Sequence, residues 1–138
     1  MRNMSALALG LLIMGLGLYG AAAATPGVFP GAFDAQGGTT NAMALTVMLT
    51  ITLVSTMFAG FVAARIASDH RPGHAIMMSV LGLTSAVFMG AIRWATAPSW
   101  YFIVSWVLIP PAAALGAFAW ERSLKRKGRD VARRVATT

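Results

Sequence analysis

Four charge-free apolar runs divide the chain, from Met4 to Ala24, Ala42 to Ala64, Ala75 to Ile92 and Ser99 to Trp120. A hydrocarbon core about 30 Å thick takes about 20 helical residues, and a backbone N–H or C=O left unpaired in lipid costs several kcal/mol, so runs of this kind predict spanning helices. The expected fold is all-α, an integral membrane bundle of four transmembrane helices at about residues 4–24, 42–67, 75–94 and 99–120. Residues 1–120 form the transmembrane domain and 121–138 a basic cytoplasmic tail that reads as a continuation of the fourth helix. The third run is the shortest, but Arg93 can lay its aliphatic stem along the helix and place its guanidinium among the headgroups. Only Ala95 to Pro98 lie between Trp94, where the third helix is expected to end, and Ser99, which predicts a tight hairpin between the third and fourth helices.

Basic loops are retained in the cytoplasm, and the loops here differ sharply in charge. The segment Thr25 to Asn41 holds Asp34 and no base, whereas the next loop holds Arg65 and Arg71. Arg93 stands alone between the third and fourth helices, so both termini are expected in the cytoplasm. Tyr19, Trp94, Trp100 and Tyr101 then fall at the outer interface and Trp120 at the inner one, where such rings are enriched. A competing reading makes the first helix a cleavable signal peptide, since Arg2, the apolar stretch Ala6 to Leu18 and Ala22-Ala23-Ala24 imitate one. Cleavage would leave three helices in unchanged orientation. The Gly-, Pro- and Thr-rich loop after this helix is either a lid or re-entrant segment, or an irregular connection whose Phe29 and Phe33 dip into the interface.

Small residues recur at helical spacing within the runs. Thr52, Ser55, Thr56, Ala59, Gly60 and Ala63 form one stripe, Ser79, Gly82, Ala86 and Gly90 a second, and Ala113, Gly116 and Ala117 a third. Lipid offers little hydrophobic gain for helix contact, so close van der Waals packing must supply association and these faces are expected to pack together. The alternative is a polar channel lined by Thr46, Thr50, Thr52, Ser55 and Thr56, although such hydroxyls usually bond back to their own helix. Pro110 and Pro111 remove two backbone donors from the middle of the fourth helix and predict a kink. A broken helix there could bind a cation, but no carboxylate or second broken helix accompanies it.

Composition narrows the chemistry. Of 138 residues 57% are hydrophobic and 11% charged, with eleven Lys and Arg against four acids, a net charge of +7. Seven of those bases lie between Arg122 and Arg134, so the excess is a tail rather than a nucleic-acid-binding face. Arg122, Lys125, Arg126, Lys127 and Arg129 are read as a cytoplasmic anchor held to an anionic leaflet; docking to a protein or to RNA is the sharper alternative. No nucleic acid is expected. Cysteine is absent, which excludes disulfides, thiolate nucleophiles and cysteine-ligated metals. His70 and His74 have the separation of a helical metal pair, but Pro72-Gly73 intervenes, and Ser68-Asp69-His70 are too close in sequence for an in-line hydrolytic triad. No Asp, Glu, Lys, Arg or His lies within a run, which disfavours a proton-coupled exporter and leaves intramembrane catalysis without a base. No cofactor, metal or enzymatic activity is expected.

Taken in order, Gly60-Phe61-Val62-Ala63-Ala64-Arg65-Ile66-Ala67, His74-Ala75, Pro98-Ser99-Trp100-Tyr101, Pro111-Ala112 and Gly116 resemble the pattern of small four-helix bacterial inner-membrane proteins with no assigned activity. The resemblance spans the second to fourth helices. It implies a bacterial inner membrane and a four-helix layout, and it transfers no catalytic residue; Ala59 stands where such proteins often show a second Gly. Two functions follow as expectations. One is a non-enzymatic packing or accessory subunit that self-associates or joins a larger membrane complex through its small-residue faces. The other is a small oligomeric channel or facilitator for neutral solutes.

Overall fold

The structure is a computed structural model that describes residues 2–67 and 72–135, with side chains placed for residues 4–67, 76, 77 and 79–126. The described residues form α1 (Arg2–Val28), α2 (Ala42–Ile66), α3 (Pro72–Ile92), a 3₁₀ turn at Trp94–Thr96 and α4 (Ser99–Val135), with no strand among them. Three stretches are long and apolar enough to cross a membrane, Met4–Val28, Ala42–Ile66 and Ser99–Arg126, while the apolar part of α3, Ser79–Ile92, is shorter.

Helix ends differ from the sequence expectation where local hydrogen bonds decide them. α1 runs to Val28, four residues past Ala24, because the Thr25 hydroxyl donates to the Ala21 carbonyl (2.5 Å) and Phe29 N–H to the Thr25 carbonyl (2.9 Å), carrying the chain past Pro26. Asn41 starts α2, its side-chain oxygen accepting from Met43 N–H (3.0 Å) and Ala44 N–H (3.1 Å). α3 begins at Pro72 rather than Ala75, since proline suits a first helical turn, whose N–H groups have no intrahelical acceptor. Ser68, Asp69, His70 and Arg71 lie outside the described residues, and so does the side chain of His74. α4 continues as one helix through Pro110-Pro111 and through the basic segment to Val135. Its 37 residues extend about 55 Å, well beyond a hydrocarbon core.

The direction of each helix follows from where the connections meet. Thr39 N–H donates to the Thr96 carbonyl (2.8 Å), so the α1–α2 loop and the α3–α4 turn sit together at one end of the molecule, the loop end. α2 and α4 therefore both start at the loop end and run parallel, whereas α1 and α3 run against them. α2 and α4 make the most extensive contact; α1 packs along α2 and α3 along α4, while α1 and α3 touch only lightly. The first joint of the α2–α4 seam is Leu45 with Tyr101 and Phe102. At the far end, the tail end, Phe61 meets Trp120 edge to face at 5.5 Å.

Candidate functional site

Gly60 and Gly116 bring α2 and α4 together. A Cβ at Gly60 would overlap the Ala113 carbonyl oxygen, and one at Gly116 would overlap the Met57 carbonyl oxygen and crowd Phe61 N. Each glycine thus points a Cα hydrogen at a carbonyl of the other helix, a weak but reciprocal contact that only a residue without a side chain permits.

The rest of the small-residue pattern divides among different neighbours. Gly17 of α1 abuts Ser55, so closely that a Cβ there would overlap the serine side chain. Ala59 (0% exposed) and Ala63 pack with Leu7, Ile13 and Met14 of α1. The second stripe meets large residues rather than another small face. Gly90 lies beneath Trp106 and Phe102, Gly82 beneath Met14 and Ile109, and the Ala86 carbonyl accepts the Trp106 indole N–H at 3.1 Å. The Ser79 hydroxyl donates to the Pro110 carbonyl at 3.1 Å. The stripes of α2 and α3 were expected to meet, but bulky α4 side chains fill the groove of α3, and the α2–α3 contact is slight. Arg122, Lys125 and Arg126 are exposed on the tail-end extension of α4. Lys127 and Arg129 belong to the same helix, and their side chains lie outside those described.

Because α1 and α3 are held apart, the loop-end half of the bundle contains a cavity of about 410 Å³. Its walls carry Met14 and Leu18 from α1, Met48, Thr52 and Thr56 from α2, Ser85 and Met89 from α3, and Tyr101, Ser105 and Trp106 from α4. Phe33, Gly37 and Thr39 of the α1–α2 loop cover its end, with Arg93, Thr96 and Ala97 opposite. The deep end narrows where Met14 Sδ and Ile109 Cγ2 stand 3.2 and 3.3 Å from the position a Cβ on Gly82 would take.

Most donors on these walls are already bonded. Thr52 and Thr56 donate to the Met48 and Thr52 carbonyls at 2.8 Å each, and Ser105 to the Tyr101 carbonyl at 2.7 Å. Thr46 and Thr50 also bond to their own helix, at 2.7 and 2.8 Å, on the outer surface. The hydroxyls of the alternative channel reading are therefore split, with Thr52 and Thr56 facing the cavity and Thr46 and Thr50 facing outward. Among the described residues Arg93 is the only charged side chain on the cavity wall.

The covering loop is ordered by its own carboxylate. Asp34 Oδ1 accepts from Gln36 N–H (2.9 Å) and Gly38 N–H (2.6 Å), and Gly37 turns the chain with φ +76°. The Thr39 hydroxyl donates to the Ala32 carbonyl (2.6 Å), closing the loop on itself. Of the aromatics expected at the outer interface, Tyr19, Trp94 and Trp100 are exposed, but Tyr101 is only 9% exposed and belongs to the core beside Leu45. The loop-end aromatics form a chain, Trp94 stacking on Phe102 at 5.4 Å and approaching Trp106 at 6.0 Å.

Sequence periodicity pointed to Thr52, Thr56, Gly82, Ala86 and Gly90 for packing, and these five also line the cavity. Met14, Met48, Met89 and Trp106 carried no separate signal, because in a uniformly apolar run a wall residue and an outward one look alike, and Tyr101 signalled an interface position instead. Among the described residues no three His, Asp or Glu side chains come together. Comparison with protein-family models, curated proteins and solved structures finds no match for this chain.

Proposed function

We propose that the chain is a non-enzymatic integral membrane protein, an accessory or packing subunit that self-associates or joins a larger membrane complex. The observation that carries this reading is the outward surface, which is apolar around the bundle: Leu12 and Leu16 on α1, Val54 and Phe58 on α2, and Val87 and Phe88 on α3 are all exposed. In water such a surface would drive aggregation, and in a bilayer it is the natural exterior. Ala59, Gly60, Ala63, Gly82, Gly90 and Gly116 are buried within the chain itself, so a partner would meet the larger outward residues.

The proposed placement has four spans in a bacterial inner membrane with both termini cytoplasmic. Supporting the fourth span, the 21 residues of α3 amount to about 31 Å of helix, and α3 lies antiparallel beside α4. Supporting the orientation, Arg65, Arg122, Lys125 and Arg126 cluster at the tail end, against Arg93 alone at the loop end. The bacterial setting rests on the motif resemblance.

A second reading, a facilitator for neutral solutes working as an oligomer, draws on the cavity. It would require the tail-end half, tightly closed at Gly60 and Gly116, to open. Native mass measurement of the full chain released from lipid nanodiscs tests the first reading. A defined homo-oligomer or stoichiometric membrane complex is the expected result, and a strictly monomeric species at all protein-to-lipid ratios would overturn it. Solute flux in vesicles containing the pure chain would move the assignment to the facilitator.

A further inference from the structure

We infer that the cavity is a binding site for a membrane amphiphile with one long hydrocarbon tail and an anionic head, the tail lying along the bundle and the head at Arg93. The inference rests on the bilayer placement proposed above, and four features of the cavity carry it.

Its shape is elongated. The lining runs from Gly82 on α3 to Arg93 just beyond its end, eleven residues further along the chain and therefore about 17 Å at the helical rise. At about 410 Å³ it falls within the range of roughly 300–1,000 Å³ typical of small-molecule sites.

Its chemistry changes along that length. The deep part presents Met14 and Ile109, with Met48 and Met89 nearer the loop end, and the hydroxyls of Thr52, Thr56 and Ser105 are bonded to helix carbonyls. Flexible thioether side chains adapt to a hydrocarbon chain, and bonded hydroxyls offer little to a polar solute. The loop-end part presents Arg93, whose planar guanidinium matches a carboxylate or phosphate, and among the described residues no acidic side chain on the wall competes for it.

One polar group on the wall is open to the cavity. Tyr101 lines it, and its hydroxyl makes no hydrogen bond to the described residues. That hydroxyl is free to donate to a head oxygen held by Arg93. The tail also has a route in. Gly15 lines the cavity on α1, a Cβ there would meet nothing within 4 Å, and the α1–α3 contact is slight, so the cleft opens sideways toward lipid.

Photolabelling of the full chain in nanodiscs tests this, using a long-chain fatty acid with a mid-chain diazirine. The corresponding alcohol and a phosphatidylglycerol carrying the same group in one chain serve as comparison probes. Saturable labelling at Met14, Met48, Met89 or Ile109 by the acid is expected, about tenfold stronger than by the alcohol. Arg93→Gln should reduce it about tenfold, the loss of a charge-assisted hydrogen bond, while Arg93→Lys keeps most of it and Tyr101→Phe lowers it several-fold. Stronger cavity labelling by the phospholipid than by the acid supports the site and identifies a lipid head as the anion. Equal labelling by acid and alcohol, indifference to Arg93→Gln, or labelling confined to outward Val54 and Phe58 would overturn the site while leaving the bilayer placement intact. No labelling even at Val54 and Phe58 would overturn both.

Discussion

Gly60 of α2 rests against the Ala113 carbonyl of α4, so close that a Cβ at position 60 would overlap the oxygen. Any side chain there must push apart the two helices that form the centre of the bundle. Gly60→Val and Gly116→Val should each destabilise the fold by on the order of 2 kcal/mol or more, as overpacking against unyielding backbone does. Gly20 of α1 has open space around it, and Gly20→Ala should instead stabilise by about 0.5–1 kcal/mol through helix propensity alone. Reversible unfolding in mixed micelles measures all three, and equal responses at Gly60 and Gly20 would contradict the α2–α4 seam.

At the tail end the Arg65 guanidinium lies over the Trp120 ring, 5.6 Å from its centroid. A cation over an aromatic face contributes about 0.5–1 kcal/mol when partly exposed. A double-mutant cycle with Arg65→Met and Trp120→Leu should return a coupling of that size. The Trp120 indole N–H is buried without a partner, so Trp120→Phe should cost less than the lost ring area alone would suggest. A coupling indistinguishable from zero would mean that the ring and the cation act separately.

The cavity cover depends on Asp34. Asp34→Ala removes the acceptor for Gln36 N–H and Gly38 N–H, so amide exchange at both positions should accelerate by about tenfold or more, each bond contributing roughly 1 kcal/mol. Helix amides in α2 and α4 should be unaffected. If exchange at Gly38 is unchanged, the turn is held by something other than this carboxylate.

Thr56 is 1% exposed and Thr50 lies on the outward face of α2, which the proposed placement puts in lipid. Cysteine at either position should resist a membrane-impermeant maleimide, whereas Thr40→Cys in the exposed loop should react readily. Reaction at position 56 as fast as at position 40 would put water through the bundle and favour the solute facilitator.

What the sequence determined by itself is the helical class and the approximate extent of each helix. Apolar runs without charge must satisfy their backbone internally, and the Ala95 to Pro98 turn marks where the third helix gives way to the fourth. Small residues at helical spacing likewise marked positions of close approach, because Gly60 and Gly116 have no side chain to keep a neighbouring backbone away. Periodicity along one helix does not say which neighbour fills its groove. Only the tertiary structure paired Gly60 with α4 and Ala59 with α1, set Trp106 against the small face of α3, and turned Tyr101 from an interface position into the core. The cavity exists for the same reason. It is the space left when α2 and α4 pack backbone to backbone while α1 and α3 are held apart, and that space depends on four helices at once.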